Sequence, residues 1–409
     1  MTAEIISVGT ELLLGNIINT NAAFLSQALA GIGVSVYRQT TVGDNHKRFF
    51  CALSSALQAS DVVIITGGLG PTQDDITKAV VADFFNHKLV MHEESLLRIR
   101  ERFLSRGRNL PPNTERNALV LQNAQVLPND NGCAPGIIVE ENNKMVILLP
   151  GPPHEMKPMF TNHALPILQN KSGNAFVSIT FKIIGIGESQ VEDALLDLIS
   201  AQTNPTIAPY ANISDVHVRV TAAAETETAA SKLIAPIAEE IYNRLGNYIY
   251  TTGEETLAEV VVTLLRTHGY TIAVAESCTG GLVMAELVGV AGCSDVVLEG
   301  VCTYSNQSKI QRLGICPQLL AQHGAVSAQV AAAMAQNVAK TSNATVGVST
   351  TGIAGPGGGT ADKPVGLVYI GVYVNGNVET QKLNLTGSRN EVRTRAAWLV
   401  LDMLRRMEE

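Results

Sequence analysis

Asp61-Val62-Val63-Ile64-Ile65-Thr66-Gly67-Gly68-Leu69-Gly70-Pro71-Thr72-Gln73-Asp74-Asp75 decides the fold class of the first part of the chain. Its opening residues form a β-branched apolar run, the composition of a strand buried on both faces. The run feeds a loop of three glycines, and Ile76 to Phe85 beyond it has helical spacing. Working outward, Glu4 to Val8 is a short apolar strand ending at Gly9, and Asn21 to Ala30 is a helix stopped by Gly31 and Gly33. Val34 to Val42 reads as a strand, His46 to Ala59 as a helix, and Lys144 to Leu149 as a strand followed by Pro150-Gly151-Pro152-Pro153. This βαβα rhythm predicts a mostly parallel sheet with helices on both faces. Ligands of such sheets sit beyond the C-terminal strand ends, so the Gly9, Gly67 and Gly151 loops are expected to converge on one edge.

From Ala175 to Gly246 the rhythm changes to βαββα, with Val216, Val218 and Val220 alternating with His217 and Arg219 as in a half-buried antiparallel strand. Thr251-Thr252-Gly253 reads as a linker. The last segment starts with an amphipathic helix, Glu255 to Thr267, and a strand, Tyr270 to Ala275. A helix is expected from Ser277 to Val288, strands at Val296 to Thr303 and Ala344 to Thr350, and a short helix from Gln307. A longer helix follows at Ser327 to Lys340, then a hairpin around Asn375-Gly376 and a closing helix from Arg389 to Met407.

Composition narrows the function. The 409 residues are 46% hydrophobic, enough for two or three buried cores, and only 16% charged, which excludes long disordered tails. Net charge is −8 with no Lys/Arg block, so electrostatic capture of nucleic acid or an anionic membrane is not expected. No signal-peptide pattern or long apolar run is seen, and the six cysteines (51, 133, 278, 293, 302, 316) lack CxxC spacing. The reading is a cytoplasmic protein with reduced thiols and no structural zinc.

Three motifs carry chemistry in the last segment. Ala273-Val274-Ala275-Glu276-Ser277-Cys278-Thr279-Gly280-Gly281 puts Ser277 where a strand meets a helix, in reach of a helix dipole and of backbone N–H groups for an oxyanion. The bland alternative is a helix cap. Tyr304-Ser305-Asn306-Gln307-Ser308-Lys309 offers a phenol and an amine, and a desolvated lysine can serve as base to a serine. Thr350-Thr351-Gly352-Ile353-Ala354-Gly355-Pro356-Gly357-Gly358-Gly359 can bring backbone N–H groups against a phosphate. Cys278 is the competing nucleophile.

In the first segment, Gly68, Gly70 and Thr72 lie on a strand-to-helix loop suited to a phosphate, and Asp74 and Asp75 could hold a divalent cation or simply cap the helix. The spacing is not that of a P-loop.

AESCTGG, GVCTYSNQSK and TGIAGPGGG, in that order, resemble the CinA C-terminal family. GTELLLG, GGLGPTQDD and PGPPHEMKP resemble the molybdopterin-binding fold that molybdenum-cofactor enzymes share with CinA. Together they make the chain similar to a full-length CinA protein. The resemblance implies an N-terminal three-layer α/β domain of molybdopterin-binding type (1–170), a small α+β KH-like domain (171–251) and a C-terminal three-layer α/β domain (252–409). It implies that the C-terminal domain hydrolyses nicotinamide mononucleotide to nicotinate mononucleotide and ammonia without a cofactor, through Ser277, Tyr304 and Lys309. Cys278, Thr279, Gly280, Gly281, Gly352, Ala354 and Gly355 would contact that substrate. It implies hydrolysis of ADP-ribose to AMP and ribose 5-phosphate by the N-terminal domain, with Glu11, Gly68, Gly70, Thr72, Asp74, Asp75 and Gly151 at the site. There Asp74 and Asp75 would hold a divalent metal, Mg or Co, with K+ as a further ion. A homodimer is implied too. The alternatives are a competence- or DNA-damage-associated binding protein and a binder of a molybdopterin-like ligand. In the middle segment Gly185-Ile186-Gly187-Glu188 leads into Glu192 and Asp193, which disfavours RNA and suggests a spacer or dimerisation role.

Overall fold

The computed structural model describes residues 1–105, 107, 110–173 and 175–408. Two compact units result: Met1–Val177 with Ala222–Lys232, and Ser178–Thr221 with Leu233–Glu409.

The first unit holds strands β1 (Thr2–Val8), β2 (Ser35–Val42), β3 (Val62–Thr66), β4 (Leu89–Met91), β5 (Leu119–Leu121), β6 (Gln125–Leu127), β7 (Gly136–Glu141) and β8 (Lys144–Leu149). Six form one sheet in the order β2-β1-β3-β8-β7-β6. The β2-β1-β3-β8 part is parallel, but β7 and β6 run antiparallel, so the sheet is mixed. The antiparallel arm arises because Asn142 and Asn143, both at positive φ, turn β7 straight back into β8. Alternate residues serve two cores. Ile5, Ile64 and Ile147 face one layer, and Ile6, Ile65 and Leu148 the other. Each such fully buried side chain contributes about 1.5–3 kcal/mol. Because β2 and β3 flank β1, the strand order reverses there, and the Gly9, Gly67 and Gly151 loops meet at the C-terminal strand ends as expected. Gly67 allows this approach: at φ 96°, a Cβ would sit 2.2 Å from the Val8 carbonyl oxygen.

The middle sheet has the order β10-β11-β9-β12, from β9 (Ala175–Ile183), β10 (Thr206–Ala211), β11 (Val216–Ala224) and β12 (Ile249–Thr251). Val216, Val218 and Val220 are buried, as the alternation predicts. The stretch expected to open a linker at Thr251 is instead the end of β12, which pairs antiparallel with β9. A three-residue strand is too short to show a period.

The last sheet has the order β14-β13-β15-β16-β17, from β13 (Ile272–Glu276), β14 (Val297–Cys302), β15 (Val346–Gly352), β16 (Leu367–Val374) and β17 (Asn377–Asn384). Helices Leu257–His268, Leu282–Val288 and Arg389–Glu408 cover one face, and helices Asn306–Leu313, Pro317–His323 and Ala328–Ser342 the other. Thr256 opens the first of these helices in a capping box with Glu259, and Gly269 closes it. Asn375 and Gly376, at φ 48° and 99°, make the hairpin turn. One expected helix is shorter than its pattern. It starts at Leu282 rather than Ser277, because Gly280 and Gly281 take positive φ and form a turn first. Among the described residues no helix is long and apolar enough to cross a membrane, and no disulfide forms among the six cysteines.

Candidate functional site

In the last sheet the strand order reverses between β13 and β15, and Ser277 follows β13 at that point. Its N–H donates to the Thr350 carbonyl at the end of β15 (3.0 Å). On the other side β14 runs into Thr303 and Tyr304, and helix Asn306–Leu313 carries Lys309 back towards Ser277. Lys309 Nζ lies 3.0 Å from Ser277 Oγ and donates to the carbonyls of Thr303 (2.7 Å) and Tyr304 (3.5 Å). Lys309 is 1% exposed, and burial pulls its pKa down to about 8. A neutral amine there has two N–H bonds for two carbonyls and a lone pair for the serine hydroxyl. The serine and its base therefore meet directly.

The Tyr304 hydroxyl does not lie between them. Its ring is 68% exposed, and its hydroxyl accepts from Arg389 Nη2 at 3.4 Å. Arg389 also donates from Nη1 to the Gly355 carbonyl (2.5 Å), so one guanidinium joins the tyrosine to the glycine-rich loop. Cys278 is buried, and burial pushes its thiol up to about 11, which leaves it protonated at neutral pH and disfavours it as the nucleophile. Thr279 is fully buried with its hydroxyl 2.6 Å from that of Thr350, and Ala354 is buried beside Gly352 and Gly355.

The dipole argument for Ser277 also changes. Glu276, 1% exposed, accepts from the N–H groups of Gly281 (2.8 Å), Val283 (3.3 Å) and Met284 (3.0 Å), so its carboxylate occupies the start of helix Leu282–Val288. Arg393 grips the turn between them, donating to the carbonyls of Cys278 (3.2 Å) and Thr279 (2.8 Å). Because a trans peptide points its N–H opposite to its C=O, this grip turns the N–H groups of Thr279 and Gly280 away from Arg393.

The first unit has a cleft of about 940 Å³ lined by Glu11, Gly68, Gly70, Asp74, Asp75 and Gly151 among others. Among the described residues, its walls carry the carboxylates Glu11, Asp44, Asp74, Asp75 and Glu155 together with Arg102. The Thr72 hydroxyl lies against both Asp74 and Asp75, its single proton shared between them, and holds the Asp74 carboxyl below its usual range. Thr72 N–H also donates to Asp75 (2.9 Å). Two carboxylates converging on one hydroxyl suit a hard cation that draws its other ligands from phosphate and water. Among the described residues no group of three His, Cys, Asp or Glu side chains could hold a metal unaided.

Three family models match the chain: "Probable molybdopterin binding domain" over residues 4–170, "Damage-inducible protein CinA KH domain" over 178–251, and "CinA C-terminal domain" over 254–407. A CinA-like protein of Dictyoglomus turgidum is 52% identical over 406 residues, covering 99% of both chains. The chain belongs to the CinA family. A CinA-like protein of Kosmotoga olearia is 50% identical, covering 99% of this chain and 98% of its own. A solved structure, the competence/damage inducible protein CihA from Agrobacterium tumefaciens, is 41% identical over 37% of this chain and 94% of its own, with a TM-score of 0.37.

Within this CinA-family chain, sequence reading missed Glu276, Arg389, Arg393 and Lys78. Lys78 is buried eight residues past Gly70, donates to the carbonyls of Arg116 (3.0 Å) and Asn117 (3.2 Å), and is brought down to about 8 by burial. A lysine on an otherwise apolar helix face was the available signal.

Proposed function

We propose that the C-terminal part of the chain is a serine amidohydrolase that converts nicotinamide mononucleotide to nicotinate mononucleotide and ammonia. The observation carrying this reading is the buried Lys309 amine 3.0 Å from Ser277 Oγ. Neutral Lys309 takes the Ser277 proton as Oγ attacks the carboxamide carbon. The negative charge that develops on the carbonyl oxygen faces the N–H groups of Thr279 and Gly280. The Lys309 ammonium then protonates the departing amide nitrogen, which leaves as ammonia, and an ester to Ser277 remains. Lys309, neutral again, takes a proton from water as it attacks the ester. It returns that proton to Ser277 Oγ as nicotinate mononucleotide is released. The exposed Tyr304 ring offers a face to the pyridinium, and Arg389 offers a cation to the phosphate. The choice of substrate rests on the likeness of the three motifs to the CinA C-terminal family. The test is release of ammonia and nicotinate mononucleotide by the metal-free protein; a folded protein that releases neither overturns the reading. Cys278→Ala is expected to keep the rate within about threefold, as a small buried packing change. A collapse of activity in that variant would transfer the nucleophile to Cys278.

The N-terminal cleft is read as a divalent-metal-dependent ADP-ribose hydrolase that yields AMP and ribose 5-phosphate. Asp74 and Asp75 would hold the ion, which supplies charge neutralisation of the diphosphate and an activated water. The five carboxylates on the described walls of the cleft repel a phosphate ligand that brings no cation, which counts against metal-free binding of a molybdopterin-like ligand. Asp75→Asn is expected to lower AMP release by about a hundredfold and leave ammonia release unchanged, read by chromatography of both reactions on one preparation. Equal AMP release by wild type and variant would remove Asp75 from the site.

A further inference from the structure

We propose that Glu276 is a positioning residue for the amidohydrolase: it holds both the oxyanion turn and the carbonyl that orders Lys309. The inference rests on the reading of Ser277 as nucleophile. A surface-facing glutamate in a strand would be unremarkable, but this one is 1% exposed and ends β13 immediately before Ser277. Its two carboxylate oxygens together accept three backbone N–H bonds, from Gly281, Val283 and Met284. That pins the far end of the turn whose near end is pinned by Ser277 N–H on Thr350. Between these two anchors lie the N–H groups of Thr279 and Gly280. Arg393 fixes their orientation from outside, and Glu276 fixes their distance from Ser277.

The main chain of the same residue reaches the base. The Glu276 carbonyl accepts from Thr303 N–H at 2.8 Å, and the Thr303 carbonyl is the 2.7 Å partner of Lys309 Nζ. One residue thus links the nucleophile's turn through its side chain to the base through its backbone. An amide in place of the carboxylate cannot do the same. All three partners are donors, so a Gln –NH2 would face at least one N–H and push the turn open.

The test compares the wild type with Glu276→Gln and Glu276→Asp in the full chain. Two rates are measured: deamidation of nicotinamide mononucleotide and phosphonylation of Ser277 by a fluorophosphonate, read by intact mass. Both need the serine, its base and the oxyanion donors, but only the first needs the proposed substrate. Glu276→Gln is expected to lower kcat and the phosphonylation rate by at least about tenfold, as loss of an oxyanion contact does. KM should stay within about twofold and the pH midpoint of kcat/KM should not move. A folded Gln variant with kcat and phosphonylation near wild type overturns the proposal, as does a loss confined to KM. Should the Gln variant fail to fold, the Asp variant decides. It keeps the charge but is one methylene too short to reach all three N–H groups, so full phosphonylation in folded Glu276→Asp overturns the proposal. If the wild type is phosphonylated yet does not deamidate the nucleotide, the substrate reading fails while the phosphonylation comparison still judges Glu276.

Discussion

Ser277→Ala is expected to lower ammonia release from nicotinamide mononucleotide about ten-thousand-fold or more, while the affinity for the nucleotide stays close to wild type. The hydroxyl forms the bond that replaces the carbon–nitrogen bond, and no neighbour can take its place. The thiol beside it, Cys278, is held near 11 by burial and stays protonated at neutral pH. The backbone bond from residue 277 to Thr350 does not involve the side chain, so the variant should fold. Lys309 keeps its 2.7 Å bond to the Thr303 carbonyl. The measurements are a coupled ammonia assay and titration calorimetry with the nucleotide. Turnover undiminished in Ser277→Ala would sink the serine mechanism.

Lys309→Arg is expected to cost a further large factor, about a hundredfold to ten-thousandfold. Arginine keeps the positive charge but cannot become a base at any accessible pH. The wild type should show the matching pH dependence. With Lys309 near 8, roughly a tenth of it is neutral at pH 7. Log kcat/KM should therefore climb with unit slope and level off above about 8, and a flat profile from pH 6 to 9 would exclude Lys309 as the base. The same burial shapes stability. Lys78 and Lys309 both sit near 8 in the folded chain against 10.5 in an ordinary lysine. Below 8 both are charged in either state, and the full cost of burying the charge is present. As pH rises from about 8 towards 10.5 the folded state has already lost those protons and the unfolded state has not, so stability increases.

The pairing of Ser277 with Lys309 was legible because each follows a strand, and neighbouring strand ends of an α/β sheet converge. The convergence of the Gly9, Gly67 and Gly151 loops was legible on the same ground. What surrounds the serine was not. Glu276 and Arg393 act on main-chain N–H and C=O groups, which every residue carries and which leave no mark in side-chain chemistry. Arg393 reaches its partner across 115 positions. The helix after Ser277 was placed five residues too early on its apolar spacing, because glycines compatible with a helix cap are equally compatible with a turn. The resemblance groups Tyr304 with Ser277 and Lys309, and it stands five residues before the lysine in sequence. The helix that returns Lys309 inwards leaves the phenol outside. The antiparallel β6 and β7 escaped notice because strands of three and six residues carry no long period.

The last helix has a further bearing. Its arginines are spent mainly on uncharged oxygens: Arg389 on Gly355, Arg393 on Cys278 and Thr279, Arg395 on Ile213 and Thr386, and Arg405 on Ile249 and Asn247 as well as buried Asp402. Hydrogen bonds to carbonyls, and an ion pair sealed from solvent, are screened far less by dissolved electrolyte than exposed pairs. The scaffold around Ser277 is therefore built to hold its shape across wide swings of ionic strength. The carboxylate-lined cleft of the other unit must instead follow the cations around it.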